Sequence, residues 1–402
     1  MPNLRPALSA LALCLVHAPA SAQGTDVLVP GWFSNSVHRY DPSGAWTGPF
    51  VGPGSGGLIN AHSIAVGPDG NLYITSTGTN SILRYDGATG APLGVFVPTG
   101  LAGLSNPFDA DFGPDGHLYV TSGSRVMRFD GATGASLGDF VPSGSGGLSA
   151  AEMLVWGPDG HLYVASANNN SVKRYDGQTG AFIDTFVTPG SGGLDDPHGL
   201  AFGPDGNLYV ASFGTNPVLK YDRVTGASLG ALVSAGPLAP SAPHGLMFGT
   251  DGLLYVASFG NDQIRRYDGT TGAFVDIFVT SGSGGINAPA DVLVRPEPEL
   301  KQQAPLPGIA GGTSSITVYK ANPGELVVYV FGTINGPLPL LFCPGLQAYI
   351  QDPVLLASAT ADGFGVTNVS VPIPSSAAGL TVLLQSLALS SCRVSNLVRY
   401  TF

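Results

Sequence analysis

The chain has 402 residues, a formal net charge of −11 and a charged fraction of only 11%. Soluble domains usually carry about 25% charged residues, and the 58 glycines indicate that uncharged turn residues take their place here. The negative charge disfavours nucleic acid and anionic membrane surfaces as partners.

The first residues are typical of a secretory signal peptide. Arg5 is followed by an apolar run over residues 8–16 and by the small-residue step Ala20-Ser21-Ala22. The run is too short to span a bilayer, so we assign residues 1–22 to a signal peptide and expect cleavage before Gln23. Because no later segment is long and apolar enough for a membrane helix, we predict a protein that is secreted or held at the cell surface.

Six copies of one pattern occupy residues 24–294, and the best preserved reads PHGLAFGPDGNLYVASFGTNPVLKYDRVTGASLGALV over residues 197–233. Each copy has four apolar segments separated by turn residues, which predicts four antiparallel strands joined by hairpins. The period is 46 residues, with one copy shortened to 44, because the GPDG or GTDG turns begin at Gly67, Gly113, Gly157, Gly203 and Gly249. Repeats of this length, filled with short strands, indicate the blades of a β-propeller.

The strands missing at the two ends of the repeats predict how the ring closes. The chain enters on a second strand, residues 27–29, and leaves on a lone first strand, residues 291–294. One blade is therefore split between the two ends, which removes the exposed sheet edges of an open ring. We predict an all-β, six-bladed propeller over residues 23–294. The third strand of each blade ends in an aromatic-Asp pair, whose aspartates we interpret as Asx-turn residues: Asp41, Asp86, Asp130, Asp176, Asp222 and Asp268.

The C-terminal region loses the repeat but keeps strand patterning. Residues 295–312 are polar and proline-rich, as in a linker, and residues 313–402 have the length of a small β-sandwich. The predicted strands cover residues 315–319, 326–331, 354–359, 366–373 and 380–389. Cys343 and Cys392 are the only cysteines that remain after signal cleavage, and an even pair in an exported chain predicts a disulfide.

The repeat resembles that of the NHL-repeat propellers, whose unit reads Pro-x-Gly-Ile/Leu-Ala-Val, a turn, and then Leu-Tyr-Val-Ala. The resemblance covers the whole repeat region and implies the propeller fold. The C-terminal region, through the phrase LLASATADGFGVTNVSVPIP, resembles the C-terminal β-domains of many bacterial secreted proteins. That resemblance implies a role in display or attachment.

Function in propellers concentrates where the repetition between blades is broken, next to the inner strands. We call the residue just before each inner strand the axial residue; the six are His62, Phe108, Glu152, His198, His244 and Ala290. In a six-fold ring, the blades of His62 and His198 face each other, while those of Glu152 and His244 flank His198. Neutral imidazoles that converge on an axis would form a site for zinc or another transition metal.

The family resemblance extends this hypothesis. Peptidylglycine-amidating lyases share the NHL propeller and hold a metal with axial histidines, and streptogramin lyases use histidine and glutamate in a related propeller. By resemblance, His62, His198 and His244 would be metal ligands and Glu152 a ligand or a general base. The alternative is that Pro-His-Gly is simply part of the repeat and that copies inherit histidines without any chemistry.

Asp109 and Asp291 lie one residue beyond an axial residue. We predict that they line the channel mouth together with Glu152 and contribute to binding there, with solvated or backbone-bonded carboxylates as the alternative.

Two functions remain open at this point. The first is a secreted, non-catalytic binding or scaffold protein for an unidentified extracellular ligand or cell-surface component, since a propeller fold alone implies no chemistry. The second is a metal-dependent lyase or lactonase-like hydrolase that acts at the channel mouth.

Overall fold

The protein is described by a computed structural model, in which residues 26–295 are described in full and ten further strands between residues 301 and 401 as backbone elements. Thr25–Arg295 forms one compact unit. Within residues 26–295 the elements are strands and eight short 3-10 turns. No helix in the described part of the chain has the length and apolar character needed to cross a membrane.

Six four-stranded antiparallel sheets form the blades, and this confirms the predicted fold. Blade 1 comprises β1 (Asp26–Gly31), β2 (Ser36–Tyr40), β3 (Trp46–Val51) and β24 (Leu293–Arg295). Blade 2 comprises β4 (Ala61–Val66), β5 (Leu72–Ser76), β6 (Ser81–Tyr85) and β7 (Pro92–Val97), and blade 3 comprises β8 (Pro107–Phe112), β9 (Leu118–Ser122), β10 (Arg125–Phe129) and β11 (Ser136–Val141). Blade 4 comprises β12 (Ala151–Trp156), β13 (Leu162–Ser166), β14 (Ser171–Tyr175) and β15 (Phe182–Val187). Blade 5 comprises β16 (Pro197–Phe202), β17 (Leu208–Ser212), β18 (Val218–Tyr221) and β19 (Ser228–Val233), and blade 6 comprises β20 (Pro243–Phe248), β21 (Leu253–Ser258), β22 (Gln263–Asp268) and β23 (Phe274–Val279).

Blade 1 is the split blade that the sequence predicts. Its inner strand β24 pairs antiparallel with β1, so that Val294 lies opposite Val27. The regular strand begins at Leu293 rather than at residue 291, after an isolated bridge between Pro289 and Gly31. The closure is reinforced at its edge, where the Arg295 guanidinium donates to the Asp26 carboxylate at 2.7 Å.

Aromatic rings fill the interfaces between blades. The Tyr73 ring in β5 lies edge-on to Phe96 and Phe112, with centroid distances of 4.7 and 4.8 Å. Such pairs contribute about 0.5–1.5 kcal/mol each beyond the burial of their area. The Tyr73 hydroxyl donates to Asp69 of the GPDG turn at 3.0 Å, and the same contact joins Tyr119 to Asp115, Tyr163 to Asp159, Tyr209 to Asp205 and Tyr255 to Asp251. The aspartate of each turn therefore fixes the orientation of a tyrosine ring that packs between blades.

The structure confirms the interpretation of the aromatic-Asp pairs. Asp86 Oδ1 accepts hydrogen bonds from the Ala88 and Thr89 amides and from the Thr89 hydroxyl, at 2.8–3.1 Å. These bonds, the Thr89 hydroxyl first, hold the pKa of Asp86 below its usual value. Asp41, Asp130, Asp176, Asp222 and Asp268 form the same type of turn. All six carboxylates are thus used within their own hairpins.

The C-terminal region is rich in strands, as predicted. The strands are β25 (Lys301–Gln302), β26 (Thr313–Tyr319), β27 (Leu326–Gly332), β28 (Ile334–Pro339), β29 (Gln347–Gln351), β30 (Val354–Thr360), β31 (Thr367–Pro372), β32 (Thr381–Ala388), β33 (Arg393–Val394) and β34 (Val398–Thr401). They form the sheets β25-β26-β31, β30-β27-β32-β33 with β34 also on β32, and β28-β29. The five predicted strands are present to within two residues at each end, whereas β25, β28, β29, β33 and β34 were not predicted.

Several predictions about the chain ends stay predictions. The proposed signal peptide, residues 1–22, together with Cys343 and Cys392, lies outside the described residues. The disulfide and the face-to-face packing of a sandwich are therefore untested. Within the predicted linker, residues 295–312, Lys301 and Gln302 form the short strand β25 against β26.

Deleting the inner strand of the split blade should abolish cooperative folding of the propeller. A chain that ends at residue 288 lacks β24 and leaves one edge of β1 without its partner, whereas a chain that ends at residue 295 keeps the closed ring. We expect a sharp thermal transition only for the longer chain, measured by circular dichroism and calorimetry. An equally sharp transition for the chain that ends at residue 288 would refute closure by β24.

Candidate functional site

A β-bulge on five of the six inner strands, those of blades 2 to 6, directs the axial residues. In these blades the axial residue is the second residue of the strand, not the residue before it as predicted, because the strand pairs on both sides of the bulge. In blade 2, Ala61 pairs with Ser76 and Ile64 pairs with Ile74, so three steps on β4 match two steps on β5. The extra residue lies in the segment that contains His62. Equivalent register shifts occur on β8, β12, β16 and β20. Bulges re-aim side chains and are common beside functional sites, which explains how these strands bring their axial residues together.

Four of the six axial residues form one cluster. Ligand atoms of His62, Glu152 and His244 lie within 4.8 Å of one another, and all three residues are buried. The His244 ring lies between the other two histidines, with centroid distances of 4.7 Å to His62 and 4.5 Å to His198. His198 Nδ1 lies 3.9 Å from Glu152 Oε2. We call these four residues the axial cluster.

Hydrogen bonds fix which nitrogen of two rings carries the proton. His62 Nδ1 lies 2.5 Å from the Phe108 carbonyl oxygen, and His198 Nε2 lies 3.2 Å from Asp196 Oδ1. Because a carbonyl or a carboxylate only accepts, these nitrogens donate, and the opposite nitrogen of each neutral ring keeps its lone pair. Those opposite atoms, together with His244 Nδ1, are buried and have no hydrogen-bond partner among residues 26–295.

Burial sets the charge of the cluster. It lowers the pKa of His62 to about 3, and a positive charge on His198 would lower it further. It also lowers the pKa of His244 well below its ordinary value. Glu152 shifts the other way: burial raises its pKa to about 7, against the opposing effect of His198. The rings of His62 and His244 are therefore neutral at neutral pH, with lone pairs available to a cation.

An aromatic lid, which we define as Trp32, Phe213 and Phe259, covers the three histidines. Trp32 lies 4.9 Å from the His62 ring, Phe259 lies 5.5 Å from His244, and Phe213 stacks on His198 at 4.2 Å and 11°. The Phe259 ring also contacts the other two lid rings, with centroid distances of 6.2 Å to Trp32 and 6.1 Å to Phe213. The lid limits access of water to the cluster from that side.

The other two predicted mouth residues join blades. Asp109 Oδ2 accepts from the Leu154 amide of blade 4 at 2.8 Å, and Asp291 Oδ2 accepts from the Ile64 amide of blade 2 at 3.2 Å. These are the backbone-bonded carboxylates of the alternative reading. Burial first, and then the charge of Asp109, raises the pKa of Asp291 to about 8 and that of Asp111 to about 7. A binding role for Asp109 and Asp291 stays a prediction.

Sequence reasoning missed Asp196 and the aromatic lid. A signal for the lid was present, because Trp32, Phe213 and Phe259 each directly follow the second strand of their blade, in one shared register. Asp196 lies two residues before an axial residue, where the other blades have Asn60, Asn106, Ala150, Ala242 and Ala288. Its charge distinguishes it from every other copy.

Several solved structures are similar to this chain in fold. A protein of unknown function from Bacteroides caccae is similar with a TM-score of 0.51 at 13% identity, over 67% of this chain and 98% of that chain. Virginiamycin B lyase from Staphylococcus aureus (TM-score 0.45, 19% identity, 63% of this chain and 80% of that chain) and a streptogramin B lyase (0.47, 18%, 65% and 86%) are also similar. No protein-family model and no curated protein sequence matches the chain. At these identities the similarity concerns the fold, so function must be argued from residues.

Replacing Asp291 with Asn should flatten the pH dependence of stability between about pH 6.5 and 8. A carboxyl whose pKa is raised on folding, here to about 8, contributes stability that is present below its unfolded pKa and is lost as the pH rises through its folded pKa. The pKa of His62, lowered to about 3, changes the free energy of unfolding only below about pH 6.5. The pKa values of Asp111 and Glu152 are also raised, both to about 7, so these two carboxyls retain part of the pH dependence in the variant.

The measurement is urea unfolding at several pH values. The matched control is Asp222→Asn, since Asp222 is a turn carboxylate with a lowered pKa, whose removal should alter the curve only at acidic pH. Identical slopes for Asp291→Asn and the wild type between pH 6.5 and 8 would contradict the assignment.

Proposed function

We propose that this protein binds a divalent transition metal of the zinc type on the propeller axis and serves, outside the cell, as a rigid non-catalytic platform for another molecule. The observation that carries the proposal is the axial cluster: three buried ring nitrogens without a hydrogen-bond partner among residues 26–295 converge with a buried carboxylate. Buried polar atoms are normally paired, and a cation would satisfy all four groups at once.

The chemistry of the donors favours zinc or a similar ion. Imidazole nitrogen and carboxylate oxygen are common zinc ligands, and the three histidines would be ligands together with Glu152. The hydrogen bonds of His62 to the Phe108 carbonyl and of His198 to Asp196 are of the kind that orients ligand histidines in metalloproteins.

The spacing of the cluster is close to what a tetrahedral ion requires. Two ligand atoms at about 2.1 Å from one zinc ion lie about 3.4 Å apart. The separation between His198 and Glu152 is 3.9 Å, and the ligand atoms of His62, Glu152 and His244 lie within 4.8 Å. Contraction by roughly 0.5–1.4 Å would complete the site, which small side-chain rotations can supply.

Four protein ligands under an aromatic lid favour a structural metal. Structural zinc sites are usually closed by four protein ligands, whereas catalytic sites keep one position for water or substrate. The ligands would come from blades 2, 4, 5 and 6, so the ion would tie four of the six blades together at the axis. Since binding to the folded state alone stabilises that state, the metal would make the platform more rigid.

Loss of an axial histidine should abolish tight metal binding. The purified wild type, stripped with chelator, should bind one Zn²⁺ or Co²⁺ per chain and melt at a higher temperature with metal than without. His198→Ala should lose both effects, because it removes a ligand from the middle of the cluster. His161→Ala is the matched control, since His161 accepts from the Gly177 amide in a turn outside the axial cluster. A wild-type protein that neither contains nor takes up a metal at neutral pH would refute the proposal.

A second candidate is a metal-dependent lyase or hydrolase. The observation that favours it is Glu152, a buried carboxyl whose pKa of about 7 suits a general base. In that case the three histidines alone would hold the metal and leave a fourth position open to substrate.

Cobalt substitution distinguishes the two functions. In a closed site the visible spectrum of bound Co²⁺ should not respond to azide, and Glu152→Gln should change that spectrum by removing a ligand. In an open site azide should bind and shift the spectrum, while Glu152→Gln should leave the coordination intact. A spectral response of the wild type to azide would favour the enzyme over the platform.

A further inference from the structure

We infer that Asp196 is a positioning residue of the axial cluster: it fixes the tautomer of His198 so that the lone pair on Nδ1 faces Glu152 and the centre of the cluster. The inference deepens the proposed metal binding and rests on it for its consequence, but the tautomer itself follows from the geometry alone. Asp196 Oδ1 lies 3.2 Å from His198 Nε2, and His198 Nδ1 lies 3.9 Å from Glu152 Oε2.

The backbone of Asp196 is anchored on both sides. Its amide donates to Asn170 Oδ1 at 2.9 Å, and its carbonyl accepts from the Phe213 amide at 3.0 Å. Its φ of +50° places it in the left-handed region, which Asp and Asn tolerate better than most residues. The carboxylate is therefore held beside the imidazole by a fixed backbone.

Two rings pack against the His198 imidazole and restrict its orientation. Phe213 stacks on one face at 4.2 Å, nearly parallel, and the His244 ring meets it edge-on at 4.5 Å. His62 obtains its orienting bond from the carbonyl of the next axial residue, Phe108. The equivalent carbonyl for His198 belongs to His244, and it faces the Cα of Gly199 so closely that an added Cβ would lie 2.1 Å away. A side chain must replace the carbonyl, and Asp196 does.

Metal binding by His198 depends on which of its two ring nitrogens carries the proton. If the proton moved to Nδ1, that atom would become a donor toward Glu152 and could no longer ligate an ion. Partners that orient ligand histidines typically change metal affinity by about 10–100-fold when removed. Asp196 would therefore control whether His198 takes part in the site at all.

The repeat itself supplies the variants that test this role. Ala150, Ala242 and Ala288 hold φ values of 45–52° at the equivalent position of other blades, so Asp196→Ala should fold. Asn60 and Asn106 hold the same position with φ of 53° and 46°, so Asp196→Asn, which keeps an acceptor oxygen without the charge, is equally compatible. The neighbouring Asp195→Asn removes the same charge from a carboxylate that accepts from Asn170 instead, and it is the matched control.

Two readouts on the full chain are needed. The first is the imidazole tautomer in the metal-free protein at pH 8, read by nitrogen NMR of ¹⁵N-histidine-labelled samples, with His198→Gln to assign the signal. The second is the Zn²⁺ or Co²⁺ dissociation constant, from competition with a chelator. We expect the Nε2-protonated tautomer in the wild type, in Asp195→Asn and in Asp196→Asn. In Asp196→Ala we expect a shift toward the Nδ1-protonated form and an affinity about 10–100-fold weaker.

The outcomes separate the two claims. An unchanged tautomer and wild-type affinity in Asp196→Ala would overturn the positioning role. An equal loss of metal affinity in Asp195→Asn and Asp196→Ala would also overturn it, because the removal of one negative charge near the channel mouth would then explain the loss. If the wild type binds no metal, the proposed function fails, and the tautomer of His198 still decides the role of Asp196.

Discussion

The bulge on the inner strands of blades 2 to 6 is the constraint on which the site depends. A regular strand would alternate its side chains between the two blade interfaces, whereas the extra residue in the segment after Ala61 changes that alternation at His62. The bulge leaves one backbone amide without a carbonyl partner on the neighbouring strand. Thr75 in blade 2 and Thr121 in blade 3 accept that amide with their hydroxyls, each at 2.9 Å, so the bulge is stabilised locally before any side chain reaches the axis.

The axis collects more ionisable groups than a protein interior normally accepts. Burying a charge is costly unless it is paired, and the propeller meets this cost by keeping groups neutral: burial lowers the pKa of His62 and raises that of Glu152. Asp109 and Asp291, each one residue after an axial residue, accept hydrogen bonds from backbone amides of the neighbouring blade. The same residues thus bind blades together and hold a polar centre inside a largely apolar ring.

The fold follows from the sequence because its signals are local and repeated six times. The spacing of the turns predicts the blades, because each repeat pairs its strands in the same register. The strands that are missing at the two ends of the repeats predict the split blade. The shared register of the axial residues could also be read directly. The contact between Asp196 and His198 could not be predicted, because it depends on the left-handed backbone of Asp196 and on the close approach of the His244 carbonyl to Gly199. The strand β28 was missed because its sequence, INGPLP, contains Gly and Pro, which weaken a strand pattern.

The split blade also fixes the order in which the molecule can be completed. Asp26 and Arg295, which meet in blade 1, are 269 positions apart in the chain. At a synthesis rate of about 5–20 residues per second, roughly 15–50 s separate the making of β1 from that of β24. Throughout that interval the inner edge of β1 is a free template for pairing with other chains. The split blade that removes the open edge from the finished ring therefore leaves that edge exposed for the whole time in which the ring is being made.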